Sequence, residues 1–262
     1  MLAQAVKVII NADDFGLGKD ISLAIIEAFE KKYISSATMC ANGDYFKEAS
    51  ALGRLMRLED RIGIHLNLTE GKPLTEGITR FSKFCNQQGH FHGKVNRLSP
   101  FRPSEQEAIM LELSAQIERM RQAGLQITHA DSHHHVHTGP FIAPLVLSVL
   151  KHYQIQSIRI QRNIGSIPMY KKIIKAVFNA YLARHGFSTV ERFGGFDDIA
   201  FMKQNINGAT LEIMVHPCYD RHGNLIDDMT YKNEPEGDLL QEEFASLEIA
   251  RIYSYSEIWA AS

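Results

Sequence analysis

Cysteine is scarce in this chain of 262 residues: Cys40, Cys85 and Cys218 are far apart and odd in number. That argues against a disulfide framework and against a cysteine-based zinc site. An excess of either charge is missing too, since 28 Lys and Arg face 30 Asp and Glu for a formal net charge of −2. With no basic surplus and no block of like charge, nucleic acid is not an expected partner. Long apolar runs are absent as well. The stretch near the N-terminus is only about five residues, too short for a secretory core or a membrane span, so the expected compartment is the cytoplasm and no membrane partner is expected. No internal repeat, low-complexity tract or Pro/Gly/Ser linker divides the chain, and residues 1–262 are read as one domain.

What the chain does have is a steady alternation of short apolar runs with amphipathic stretches, the pattern of βα units around a mostly parallel sheet. Strands are expected at Val6–Asn11, Ala37–Ala41, Ile62–Leu68, Gln126–Ala130, Ser157–Ile160 and Leu211–Val215, with weaker ones between Phe187 and Phe201. Helices are expected at Lys19–Lys32, Tyr45–Arg57, Ser104–Ala123, Pro140–His152, Pro168–His185 and Asp238–Arg251. The helix from Ser104 is the best marked, with Ser104 and Glu107 as a capping box and Gly124 as the stop. Residues 70–103 and 217–236 fit neither element; loops this long in a compact domain suit the walls of a substrate cleft.

Histidine is abundant, twelve in all, and it clusters. Five fall between His129 and His137, with Asp131 among them. An extended chain there lines up Asp131, His133, His135 and His137, while a helical one brings His133 and His137 together at i,i+4, so both conformations set His133 and His137 on one side. Such density at a strand end points to a metal, which takes neutral imidazole and carboxylate. Taken alone, His65 in Gly63–Thr69 reads as a hydrogen-bonded strand residue sooner than as a ligand, while His216 before Pro217 reads equally as a residue capping its strand. Asp13 and Asp14, followed by Gly16, read equally as an Asx turn capping the next helix. All four signals, however, stand at the C-terminal ends of expected strands, the rim where α/β folds build their sites. A cation there would neutralise one aspartate and leave its neighbour as a base.

The segments Asn11–Gly16, Gly63–Thr69 with Gly71–Leu74, Thr128–His137 and Glu212–Pro217 resemble, in order and spacing, the YdjC-like (ChbG-type) carbohydrate deacetylase family. Arg159–Arg162 resembles a family segment that faces the cleft. The resemblance implies a (β/α)-barrel-like fold, a distorted TIM barrel that is often dimeric. It implies hydrolysis of an N-acetyl group from an acetylated amino sugar such as a chitooligosaccharide. It further implies that Asp14, His65 and His133 hold one divalent metal, Zn²⁺ or Mg²⁺. Asp13 would then be the general base and His216 the acid, with His137 on metal or substrate and Arg159 and Arg162 on substrate. Beyond about residue 237 no family signature is recognised. Other metal-dependent hydrolases, phosphoesterases or cyclic amidohydrolases, use similar histidine-rich rims, but further carboxylates and a Gly-rich phosphate cradle are lacking. A non-catalytic sugar- or metal-binding protein has no need of an unliganded Asp13.

Overall fold

The computed structural model describes residues 6–93, 95–199, 201–202, 210–228, 249 and 251–259. Among them six strands form one sheet in the order β4-β3-β2-β1-β6-β5, and β7 and β8 form a separate pair. The strands are β1 (Lys7–Phe15), β2 (Ser36–Met39), β3 (Ile62–Leu66), β4 (Ala130–Ser132), β5 (Arg192–Gly195), β6 (Thr210–Val215), β7 (Pro217–Tyr219) and β8 (Leu225–Asp227). The helices are α1 (Lys19–Glu30), α2 (Phe46–Leu55), α3 (Glu76–Thr79), α4 (Pro103–Gln122), α5 (Ala143–His152), α6 (Met169–Arg184) and α7 (Tyr255–Trp259). The pairs β1–β6, β5–β6 and β3–β4 run parallel, as the α/β reading requires. No helix among the described residues is long and apolar enough to cross a membrane.

The chain forms two compact units, one from Met1–Asp13, Asp20–Ala37 and Ser157–Ser262, the other from Asp14–Lys19 and Thr38–Gln156. In the first, β1 is buried from Val8 to Asp13, and its opening residues Val8–Ile10 form a continuous apolar run rather than an alternating one. Its register with β6 runs from Lys7↔Thr210 to Ala12↔Val215. In the second unit, β3 and β4 pair His65 with Asp131. Gly63 is required there: a Cβ would lie 2.5 Å from the His129 ring, so His129 packs over the strand.

Several boundaries depart from the sequence reading. Strand β1 continues past Asn11 through both aspartates to Phe15. The expected strand Gln126–Ala130 moves to Ala130–Ser132, although hydrogen bonds to β3 begin earlier, with Thr128 N–H donating to Ile62 O at 3.2 Å. The expected strand Ser157–Ile160 reduces to isolated bridge residues at Ser157 and Ile158, with Ser157 paired in parallel with Ser188. Helix α4 starts at Pro103, which suits the first helical position, so the backbone N–H of Arg102 is capped by Glu105 at 2.7 Å in place of a Ser104/Glu107 box. The long stretch after Val215 contains the hairpin β7–β8. The expected helix Asp238–Arg251 lies almost wholly outside the described residues.

Candidate metal centre and its carboxylates

Strand β1 delivers Asp14 to a turn in which Leu17 N–H donates to Asp14 O at 3.0 Å, with Gly16 at φ +82°. Asp14 itself has φ +71°, in the left-handed region that non-glycine residues occupy only when their surroundings demand it. Its carboxylate gathers two imidazoles. Oδ1 lies 2.7 Å from His133 Nδ1 and 3.1 Å from His65 Nε2. Cys40, just beyond β2, brings its Sγ to 4.0 Å from the same oxygen, so Asp14, Cys40 and His65 offer donors close enough to share an ion.

Each histidine is held from behind by a second carboxylate. His65 Nδ1 is 2.6 Å from Asp131 Oδ1, and Thr38 Oγ1 donates to Asp131 Oδ2 at 3.1 Å. That gives Nδ1 a carboxylate partner and leaves Nε2 aimed at Asp14. His133 Nε2 is 3.0 Å from Glu70 Oε2, the first residue of the long loop. Burial pushes the Asp14 carboxyl up, but hydrogen bonds from His133 and His65 outweigh it and hold it well below 3.8. Burial lowers His133, yet its contacts with Asp14 and Glu70 carry it above 6.5. Both carboxylate contacts thus favour the charged form of the His133 ring.

The segment after β4 follows neither conformation weighed from sequence. His133–Thr138 is a tight turn in which His134 and His135 take φ +51° and +52°. Arg97, reaching in from the long loop, donates to His134 O at 2.5 Å and His135 O at 3.2 Å, stabilising this strained backbone. His137 is buried with its Nδ1 2.6 Å from Ser132 Oγ. The loop also carries a cavity of about 690 Å³ lined by Arg80, Ser82, Asn86, Gln87, Gln88 and His92 among others.

Asp13 is held by an arginine. It is 2% exposed, and its Oδ2 and Oδ1 accept from Arg159 Nη1 and Nη2 at 2.6 and 2.7 Å. Arg159, fully buried, also donates through Nε to Glu212 Oε1 at 2.7 Å. The sequence reading set Arg159 toward a substrate; its guanidinium is committed to two carboxylates instead. Arg162 is partly exposed and binds Asp198 at 2.5 Å and Asp197 at 3.1 Å. His216 follows β6, one residue beyond the Ala12↔Val215 pair, so Asp13 and His216 continue adjacent strands on one face. Its Nδ1 is buried with no hydrogen-bond partner among the described residues, while its backbone N–H donates to Asp227 Oδ2 at 2.7 Å.

The structure thus brings Asp14, His65 and His133 together and sets Asp13 on Arg159. Sequence reasoning did not assign Glu70, Cys40, Thr38 or Glu212. Asp131 was seen only as one residue of the histidine-rich face, because its role depends on the β3–β4 register. The family profile described as YdjC-like protein matches residues 7–251. The chain belongs to the YdjC-like family. Relatives in this family include a carbohydrate deacetylase from Brevibacillus brevis, 33% identical over 221 residues, 81% of this chain and 82% of that one. Another, from Geobacillus stearothermophilus and also named carbohydrate deacetylase, is 33% identical over 214 residues, covering 80% of this chain and 79% of its own. Among solved structures, an Enterococcus faecalis V583 protein named provisionally for cellobiose-phosphate cleavage matches with TM-score 0.68 and 22% identity over 97% of this chain and 99% of that one. This likeness shows that the YdjC-like chain and that protein share a fold.

Proposed function

We propose that this YdjC-like protein is a metal-dependent hydrolase that removes the N-acetyl group from acetylated amino sugars such as chitooligosaccharides. The observation that carries the reading is the convergence of His65 Nε2 and His133 Nδ1 on one oxygen of Asp14, each ring held from behind by a carboxylate. Two imidazoles and a carboxylate, oriented by outer acceptors, fit a divalent ion, with Zn²⁺ favoured over Mg²⁺ by ligand softness. The names of the relatives in this family point to acetylated carbohydrate as the substrate class. A cytoplasmic homodimer is part of the same reading.

A bound divalent ion supplies a Lewis acid for the amide carbonyl and lowers the pKa of water. Asp14, His65 and His133 hold that ion; Asp131 and Glu70 keep the rings pointed. Asp13, next in the chain to Asp14, takes the proton of the attacking water. His216 gives a proton to the departing amino nitrogen, and its buried, unpartnered Nδ1 leaves a ring nitrogen uncommitted by other bonds. His137 and Arg162 are assigned to the substrate side, and Arg159 acts behind Asp13.

The test is acetate release from N-acetylated chitooligosaccharides by metal-analysed protein. Asp14→Asn is expected to lose metal and activity together. Asp13→Asn is expected to keep metal and lose activity by about 10³-fold, in line with removal of a general base. No hydrolysis of any acetylated sugar by the metal-loaded wild type overturns the function, and metal retained by Asp14→Asn overturns the ligand set.

A further inference from the structure

Behind Asp13 stands a chain of groups that neither the ion nor the substrate requires. Residues 13, 159, 212 and 255 come from four separate stretches of sequence, and all four are buried. Arg159 presents its Nη1/Nη2 edge to Asp13 and its Nε to Glu212. The second oxygen of Glu212 accepts from the Tyr255 hydroxyl at 2.6 Å, in the short helix α7. Asn11 Nδ2 donates to Asp13 Oδ1 at 3.0 Å, and the guanidinium lies over the Phe193 ring, 4.9 Å from its centroid. A guanidinium is planar and its donors are fixed in one frame, so fastening its Nε side fixes the direction in which the other edge grips a carboxylate. Stability alone is a poor reason for such a cluster, because apolar residues of similar volume usually do as well as buried ion pairs.

We propose that Glu212 and Tyr255 are positioning residues for Asp13, acting through Arg159. Tyr255 holds Glu212, Glu212 sets the plane of the guanidinium, and that plane sets the rotation of the Asp13 carboxylate. This rests on Asp13 being the general base. A misplacement of about 1 Å in a catalytic group lowers turnover by roughly a hundredfold, so a relay that fixes one rotamer has a large lever.

The experiment compares Tyr255→Phe and Glu212→Gln with wild type, each alone and in an Asp13→Asn background. Measured for each are kcat and KM on an N-acetylated chitooligosaccharide, affinity for Zn²⁺ alone, and Tm. Tyr255→Phe removes one oxygen and serves as the variant that keeps its fold if Glu212→Gln does not. The expected result is a kcat lowered by about five- to tenfold in Tyr255→Phe and ten- to hundredfold in Glu212→Gln, with KM and Zn²⁺ affinity unchanged. In the Asp13→Asn background neither substitution lowers kcat further, because the group it positions is already gone. An unchanged kcat in folded single variants overturns the proposal, as do losses that multiply with Asp13→Asn. Full activity in Asp13→Asn by itself overturns the base assignment, and the relay falls with it.

Discussion

At the scale of single residues, His133 decides how the centre meets a metal. Its ring is held between Asp14 and Glu70, and both contacts favour the imidazolium, so its pKa is raised above 6.5. A metal needs the neutral ring, whereas Asp14, held well below 3.8, is ionised at every working pH. As pH falls through the raised His133 value, protons therefore compete with the ion, and affinity drops by about tenfold per unit. The metal-free protein runs the other way. The raised His133 contributes stability that is fully present below 6.5 and is lost as pH rises through its folded value, while the depressed Asp14 contributes stability above 3.8 and loses it only in stronger acid. The increase in Tm on adding Zn²⁺ is thus expected to be larger at pH 8 than at pH 6. Thermal melts with and without Zn²⁺ at the two pH values check this, and an equal increase at both overturns it.

At the scale of elements, α4 fastens the loop that carries Glu70. Glu112, fully buried, accepts from Leu74 N–H at 3.0 Å, Thr75 N–H at 2.8 Å and Thr75 Oγ1 at 2.7 Å. One turn on, Gln116 donates to Asn67 O at 2.7 Å and accepts from Asn67 N–H at 2.9 Å, closing the backbone just beyond β3. Glu112→Ala leaves these donors unpaired and is expected to cost about 3 kcal/mol, read as a lowered Tm and denaturant midpoint. A change under about 0.5 kcal/mol overturns the anchoring role, since that is the range of an ordinary surface substitution. Such an anchor is not visible in sequence: Glu112 looks like any helical glutamate, and burial plus three backbone and hydroxyl donors distinguish it only in the fold. The parallel strands and the four strand-end signals were legible, because apolar runs and the position of Asp13/Asp14, His65, His133 and His216 toward or just past their C-terminal ends need no long-range information. The partners of those residues were not. Asp131 lies opposite His65 through a register, Arg159 reaches Asp13 across 146 positions, and the turn at His134–His135 depends on Arg97 from a loop that carried no pattern.

At the scale of the whole molecule, α6 presents apolar surface that the described residues leave open. Met169, Tyr170, Ile173, Ile174 and Val177 are between 60% and 70% exposed, and Leu182 is the helix's one fully buried side chain. Scattered apolar residues need no explanation, but five on adjoining turns form a patch of the kind that marks a protein interface. Side chains of this size together expose on the order of 500 Å², so two copies meeting there bury about 1,000 Å², the lower edge of a specific interface. Met169, Ile173 and Val177 recur every fourth residue, the spacing of a ridge that packs against another helix. For the proposed homodimer, α6 against the same helix of a second copy is the expected seam. The double substitution Ile173→Glu with Val177→Glu places four like charges at the centre of that seam and is expected to convert dimer to monomer. Light scattering on a sizing column checks it. A monomeric wild type at about 100 μM, or a dimer that survives both substitutions, overturns the assignment, since charges buried without partners cost several kcal/mol at an interface of this size.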